Sequence, residues 1–413
     1  MGKTVVIIAT LDTRGDEVEY LKDILEESGH TALTVDAGVL GDPPFPGDYP
    51  RERVAEAGGR PLAELVEAAE KGADRSEAIR VMVEGVRSIV RVLHSTGKLD
   101  GVICLGGTTA TALGTAAMKE LPIGMPKLLV TTFIDSAAIG DEDITVMQTP
   151  IDLVGTNKVV EKTLSNAAGA VIGMLARELD MAGARPLVGL TALGVTTPAV
   201  QKIISRLEAG GRDGVVFHAK TTVLDRLVEA GMIDGIIDIT TFEYVPMTLY
   251  PPEYIARLVG SPEERRERLR GAAEMGLPQV LAPGGLDMHV FPGTGIEAVP
   301  EEFRERAWTM HGPYIVLART SAEELEKVGA RIAEAMNAAR GAIKMVIPLR
   351  GFSDASREGA PLFDPRADRA FIDAVKEALE DKGRVVEVDC HINDDAFAER
   401  MVSEFNAVFR GGR

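Results

Sequence analysis

The feature that most constrains this chain is a rhythm: short apolar runs alternate with longer stretches in which apolar residues recur three and four apart. Val5–Ala9 and Thr31–Val35 read as buried strands, and residues 15–28, with Val18, Leu21 and Leu25 on one face, as the helix between them. Residues 75–95 keep helical spacing through Ile79, Met82, Val86, Ile89 and Leu93, with Asp74 and Glu77 placed as a capping box. Strands at 101–105 and 127–131 then flank a helix at 109–119. Beyond "MAGARP" the alternation restarts, with strands at 187–191, 214–217, 235–239, 279–282, 314–317, 343–347 and 384–388. Helices fall between or after them at 197–209, 222–230, 263–274, 321–339, 367–381 and 394–408. A strand that is apolar throughout must be covered on both faces, and helices alternating with strands supply that cover. The expected fold class is therefore α/β: two Rossmann-like doubly wound domains, 1–183 and 184–413, with mostly parallel sheets and an interdomain cleft. A length of 413 residues suits two such domains.

Two stretches depart from the rhythm. Residues 37–61 are rich in Pro and Gly and predict a long binding or lid loop. The helix within "GTNKVVEKTLSNAAGAVIGMLARELD" carries Ala167, Ala168, Gly169, Ala170 and Gly173, small residues that permit close approach in a core or a dimer seam.

Charge removes several function classes. A net charge of −18 argues against a nucleic-acid partner and against an anionic membrane surface. Cys104 and Cys390 lie far apart and suggest no disulfide framework, which fits the cytoplasm. The apolar run of "MGKTVVIIATLD" is too short for a signal-peptide core, and no later run is long enough to span a bilayer. Its "GKT" lacks the upstream glycine and loop of a phosphate-binding P-loop.

In open parallel sheets, ligands bind beyond the carboxyl ends of the strands. The residues that follow the first strand are Thr10, Leu11, Asp12 and Thr13; those after the second are Asp36, Ala37 and Gly38. After 101–105 come Gly106, Gly107, Thr108 and Thr109; at and after the end of 127–131 come Thr131, Thr132, Asp135 and Ser136. Glycines admit close backbone approach, and the free amides of a helix start attract anions. Gly106–Ala110 is thus either a phosphate cradle or a glycine turn into a threonine-capped helix. Arg75, in the first turn of its helix, opposes the helix dipole, and is either a solvated cation near Asp74 or aimed at a bound phosphate that offsets the misplacement. Asp12 either accepts from a ribose hydroxyl, holds a metal, or caps a turn.

The second half offers Gly194, Thr196, Thr197 and Pro198 as a further helix start. His218, Glu243, Asp287 and His289, with His391, are candidates for an acid–base or metal site, although no close pair such as HExxH ties them together. Ser353 begins a G-x-S pattern that Ala355 breaks, so 350–368 reads as a covering loop. Trp308 suits either a core or an interface.

Taken in order, "IATLDTRGDEVEYL", "DRSEAIRVM", "LGGTTATAL", "LPIGMPKLLVTT", "IDLVGTN", "LGVTTPAV", "VFHA", "IDITTFE", "GGLDM", "GAPLFDP" and "HINDDAF" resemble the blocks of one family. It is the uncharacterised bacterial and fungal family that includes the N-terminal region of the tomato mosaic virus resistance protein. The resemblance runs from about residue 3 to about residue 405. It implies two Rossmann-like domains, dimers, and ATP in the first domain, with or without Mg2+. Block by block it carries the ATP contacts onto Leu11, Asp12, Thr13, Ala37, Gly38, Arg75 and Gly107 to Ala110. One departure stands out. Where the family reads Gly-Gly-Ser-Gly-Gly-Thr, this chain has Gly106-Gly107-Thr108-Thr109-Ala110-Thr111, so Cβ atoms at Thr109 and Ala110 stand where glycines are usual. The expected function is binding of a nucleotide or phosphorylated metabolite, with an enzyme acting on a small molecule in the cleft. The alternatives are a nucleotide-sensing or partner-binding module without catalysis, and a metal-dependent hydrolase.

Overall fold

The structure, a computed structural model, describes residues 2–71, 75–140, 142–177, 184–218, 221–251, 268 and 270–409. Its contacts divide the chain into two units, Met1–Met181 and Ala182–Arg413.

The first unit is built on strands β1 (Thr4–Ala9), β2 (Thr31–Asp36), β3 (Gly101–Gly106), β4 (Lys127–Thr131) and β5 (Thr145–Gln148). All pair in parallel, in the order β2-β1-β3-β4-β5. Successive side chains on a strand face opposite ways, so each strand feeds two cores. Val6, Ile8, Val102, Cys104 and Leu129 pack under the helices Arg75–Ser95 and Thr108–Met118. Val5, Ile7, Ile103, Leu105 and Val130 pack under the helices Leu11–Glu27 and Lys158–Leu175. Each such side chain contributes roughly 1.5–3 kcal/mol by leaving water.

The first helix begins at Leu11, four residues before the expected start at 15, with non-helical backbone at Arg14. Leu11, Asp12 and Thr13 therefore form a helical first turn rather than a loop. The expected long loop at 37–61 is irregular only in its first part; Arg51–Ala57 is helical and a second helix runs from Leu62 to Glu70. Pro50 and Pro61 supply the extended residues that precede these helices. Of the expected capping box at the head of the helix Arg75–Ser95, Asp74 lies outside the described residues.

The second unit carries β6 (Leu187–Ala192), β7 (Asp213–His218), β8 (Gly235–Asp238), β9 (Gln279–Leu281), β10 (Met288–Pro292), β11 (Trp308–Met310), β12 (Ile315–Arg319), β13 (Ile343–Pro348) and β14 (Val385–Val388). Six form a parallel sheet ordered β7-β6-β8-β9-β13-β14. The other three form an antiparallel sheet, β10-β12-β11, inserted in the chain between β9 and β13. The expected strand at 314–317 is the centre of this second sheet and not part of the parallel series. An apolar run signals burial but does not name its partner strand. Its neighbours carry no apolar run to announce them: β11 alternates exposed Trp308 and Met310 around Thr309, and β10 contains a histidine. Of the expected helix 263–274, only Arg268 and residues 270–274 fall among the described residues, the latter within the helix Arg270–Met275.

Candidate functional site

In both parallel sheets the chain reverses its order of strand addition next to the first strand laid down, between β1 and β3 and between β6 and β8. Crevices that bind ligands form outside the carboxyl ends at such switch points. The two switch points differ in chemistry.

At the first, β3 passes through Gly106 directly into the helix Thr108–Met118. Gly106 has φ +146°, and a Cβ there would lie 2.7 Å from the Ala110 Cβ, so the glycine is a requirement of the fold. Gly107 is different. Its φ is −106°, and among the described residues a Cβ would meet only Thr132 Oγ1, at 3.5 Å. Gly107 occupies the N-cap position, and the first intrahelical bond runs from the Thr111 amide to its carbonyl at 2.9 Å. Among the described residues no side chain caps this helix, so the amides of Thr108, Thr109 and Ala110 stand at its start as a donor set. The Thr111 and Thr131 hydroxyls lie 2.8 Å apart and bind the Phe133 carbonyl, which ties the ends of β3 and β4 together. Ala110 is buried and packs under Gly106, so its methyl faces the interior and does not crowd the helix mouth. Thr109 is half-buried and Thr108 exposed.

The neighbouring segments are held by two aspartates. Asp36 Oδ1 accepts from the Leu11 amide at 3.0 Å and the Gly38 amide at 2.9 Å, joining the ends of β1 and β2. Burial pushes the Asp36 carboxyl above its ordinary range, against the pull of these two amides. Asp12 Oδ2 accepts from the Leu40 and Gly41 amides, both at 3.1 Å. Its Oδ1 is buried without a partner, and a Cβ at Gly38 would come within 2.8 Å of it. Asp12 thus anchors the loop after β2. Thr10 and Thr13 pair through their hydroxyls at 2.7 Å. Strand pairing of β1 with both β2 and β3 brings Leu11, Asp12, Thr13, Ala37, Gly38 and Gly106 to Ala110 to one edge. Arg75 stands exposed at the head of its helix and lines a small hollow of about 70 Å³ with Arg60, Leu65, Ala68, Ala69 and Glu77.

At the second switch point the chain's own side chains satisfy one another. Thr196 Oγ1 lies 2.7 Å from Thr240 Oγ1 and bonds the Leu193 backbone, as a cap does. Thr197 donates to the same Leu193 carbonyl. Thr191 donates to Asp238 at 2.5 Å. Asp238 receives the Arg268 guanidinium through two bonds, at 2.7 and 3.0 Å, and Arg268 also binds Glu243. Burial raises the Glu243 carboxyl above its ordinary range despite this cation.

The acid–base candidates of this unit do not converge. Glu243 belongs to the Arg268 network. Asp287 accepts from Ser353 Oγ at 2.5 Å, so that serine donates to a carboxylate and has no histidine base. His391 Nε2 bonds the Ser353 carbonyl at 2.9 Å, and burial lowers the imidazole's affinity for a second proton. His289 sits in a third group with Tyr250 and Glu324. His218 is exposed at the end of the edge strand β7. Among the described residues, no group of three or more His, Cys, Asp or Glu side chains is arranged to hold a metal ion. Trp308 lies on the edge strand β11, 38% exposed. Tyr250, Arg268 and Glu324 were not singled out from sequence; for Glu324 the available signal, Ser321-x-x-Glu324, reads only as a helix start.

Comparison with known proteins covers nearly the whole chain. Models of the N-terminal and C-terminal domains of the uncharacterised protein family UPF0261 match residues 3–180 and 185–409. A UPF0261 protein of Clostridium tetani is 35% identical over 412 residues, 98% of each chain. One from Rhizobium meliloti is 34% identical over 415 residues, 98% of this chain and 99% of its own. The ToMV resistance protein Tm-1 of Solanum lycopersicum is 33% identical over 346 residues, 80% of this chain and 44% of that protein. No helix among the described residues is long and apolar enough to cross a membrane.

Proposed function

The chain belongs to the uncharacterised protein family UPF0261, and from that premise we propose that its N-terminal unit binds a nucleotide, ATP or a related phosphorylated metabolite, at the β1/β3 switch point. The phosphate sits on the amides of Thr108, Thr109 and Ala110, with the Thr10, Thr13 and Thr132 hydroxyls around it. The supporting observation is Gly107. A Cβ fits there, yet the position carries glycine, which admits close backbone approach and leaves the first amides of the helix without a side-chain cap. A bound anion is the cap that such a site fits. The inward-facing methyl of Ala110 also leaves room for phosphate despite the lost family glycine. Any Mg2+ would come with the nucleotide's own phosphates, because Asp36 Oδ1 and Asp12 Oδ2 accept from backbone amides and Asp12 Oδ1 is buried beside Gly38. In this account the protein works in the cytoplasm as a homodimer on a small molecule, without nucleic-acid or membrane partners. The net charge of −18 and two buried free thiols support that setting.

The test is calorimetry and thermal shift with ATP, ADP, inorganic phosphate and sugar phosphates. A ligand at a hundred times its Kd stabilises the folded unit by about 2.7 kcal/mol. Stabilisation by at least one of them, abolished in Gly107→Asp, is the expected result. No response to any at millimolar concentration would overturn the proposal.

A further inference from the structure

Away from that edge, the second unit contains a chain of three side chains arranged for proton transfer. The Tyr250 hydroxyl lies 2.6 Å from His289 Nδ1, and His289 Nε2 lies 3.0 Å from Glu324 Oε2. We propose that Tyr250 is a proton-transfer group, with His289 as its relay and Glu324 as the anchor that orients the relay, acting on a substrate that carries an acidic O–H or C–H bond. This goes beyond nucleotide binding and does not depend on it.

The polarity of the chain follows from its far end. Glu324 accepts from Arg306 at 2.5 and 3.0 Å and from the Ser321 amide at 2.8 Å. Burial opposes its ionisation, but hydrogen bonds from His289, Arg306 and Ser321 outweigh it and hold the carboxyl well below the usual carboxylate range. An ionised carboxylate only accepts, so Nε2 must carry the proton. The longer approach of Arg306 to Nε2, 3.4 Å, is between two donors that share Glu324. Nδ1 therefore presents its lone pair to the Tyr250 hydroxyl, which donates to it. A base oriented by a third group, acting on a hydroxyl, is the general logic of an activated nucleophile or acid–base pair.

The surroundings favour that role. His289 is 1% exposed, with the Phe303 ring 4.6 Å and the Phe291 ring 6.2 Å away, so its Nδ1 is screened from water. Tyr250 is half-buried, less enclosed than His289. Among the described residues the charged groups bonded to the imidazole are Glu324 and Arg306. In the step itself, the substrate's proton moves to the Tyr250 oxygen while the tyrosine's own proton moves to Nδ1. The products are a substrate anion, a neutral tyrosine and an imidazolium whose charge Glu324 balances. The reverse sequence returns the proton, so the group serves as acid or base.

The test uses the full-length protein and an aryl sulfonyl fluoride, which labels activated tyrosines. Peptide mapping follows all six tyrosines, with Tyr314, 72% exposed, as the internal reference. Tyr250 is expected to label at least about tenfold faster than Tyr314 near neutral pH, with a pH midpoint below the ordinary value of about 10. His289→Gln should return Tyr250 to the reference rate. Should that variant fold poorly, nitrogen-15 spectra of the histidines in the unaltered protein decide the point: His289 is expected as the Nε2-protonated tautomer. A Tyr250 that labels no faster than Tyr314, labelling unchanged in folded His289→Gln, or an Nδ1-protonated His289 would each overturn the proposal.

Discussion

Gly106 and Gly107 are neighbours, and the structure predicts opposite consequences for substituting them. In Gly106→Ala, a Cβ is forced onto a φ of +146° and to 2.7 Å from the Ala110 Cβ. Backbone strain of this kind costs about 1–3 kcal/mol before the clash is relieved. Gly107→Asp meets no such obstacle, because the nearest atom to its Cβ is a threonine hydroxyl at 3.5 Å. Its carboxylate lands at the positive end of an 11-residue helix that lacks a side-chain cap. A negative charge there is worth about 0.3–1 kcal/mol, or roughly 1–4 °C in melting temperature for a domain of this size. The same carboxylate competes for the amides assigned to the ligand. It also repels a bound phosphate by about 1–4 kcal/mol at a separation of about 4 Å, depending on the local dielectric. A loss of at least about fivefold in affinity follows. The assay is urea unfolding of both variants beside calorimetry with ATP or ADP. A Gly107→Asp protein that is as stable as the parent, or more so, and no longer binds is the predicted outcome. If Gly107→Asp binds nucleotide with undiminished affinity, the capping argument is wrong.

Other predictions follow from the buried polar groups. Glu324→Gln should cost about 2–4 kcal/mol at pH 7, somewhat below a fully enclosed pair because Arg306 keeps 26% of its side chain exposed. Because the folded-state pKa of Glu324 is depressed, its contribution is fully present above the unfolded value of about 4.3 and fades as pH falls through the folded one. Urea unfolding should therefore show the gap between parent and variant narrowing at pH 3; a gap independent of pH would refute this. Arg268→Met leaves Asp238, 0% exposed, without its cation and should cost about 3–5 kcal/mol in the same assay; a loss under about 1 kcal/mol would count against that network. Burial pushes the Cys104 thiol up to about 12 and the Cys390 thiol up to about 11, so neither should react quickly with Ellman's reagent at pH 8 until the chain is unfolded.

Much of the fold was legible because each parallel strand announces itself as an apolar run between helices. The edge that carries the proposed site was legible for the same reason: Thr10, Ala37 and Gly107 directly follow strands. What sequence could not supply was the direction of a side chain. Ala110 reads as an obstruction to phosphate, but one turn of helix rotates its methyl beneath Gly106. Asp12 reads equally as a ligand or as a turn residue, and only the structure shows its Oδ2 accepting from the loop after β2. The scattered histidines and acids of the second half read as one constellation because they are chemically alike; antiparallel pairing of β10 with β12 instead sends Asp287 to Ser353 and His289 to Glu324. Tyr250 and Glu324 are 74 positions apart, and no local pattern links them.

The central claim is that backbone amides at the head of the helix Thr108–Met118 hold an anionic metabolite. The most direct measurement is a nitrogen-15 amide titration of the folded protein with ATP and with inorganic phosphate. The account predicts saturable shifts centred on Thr108, Thr109 and Ala110, present for the parent and absent in Gly107→Asp. Resonances of those three amides that stay fixed at millimolar ligand, or shifts that centre elsewhere in the chain, would contradict it.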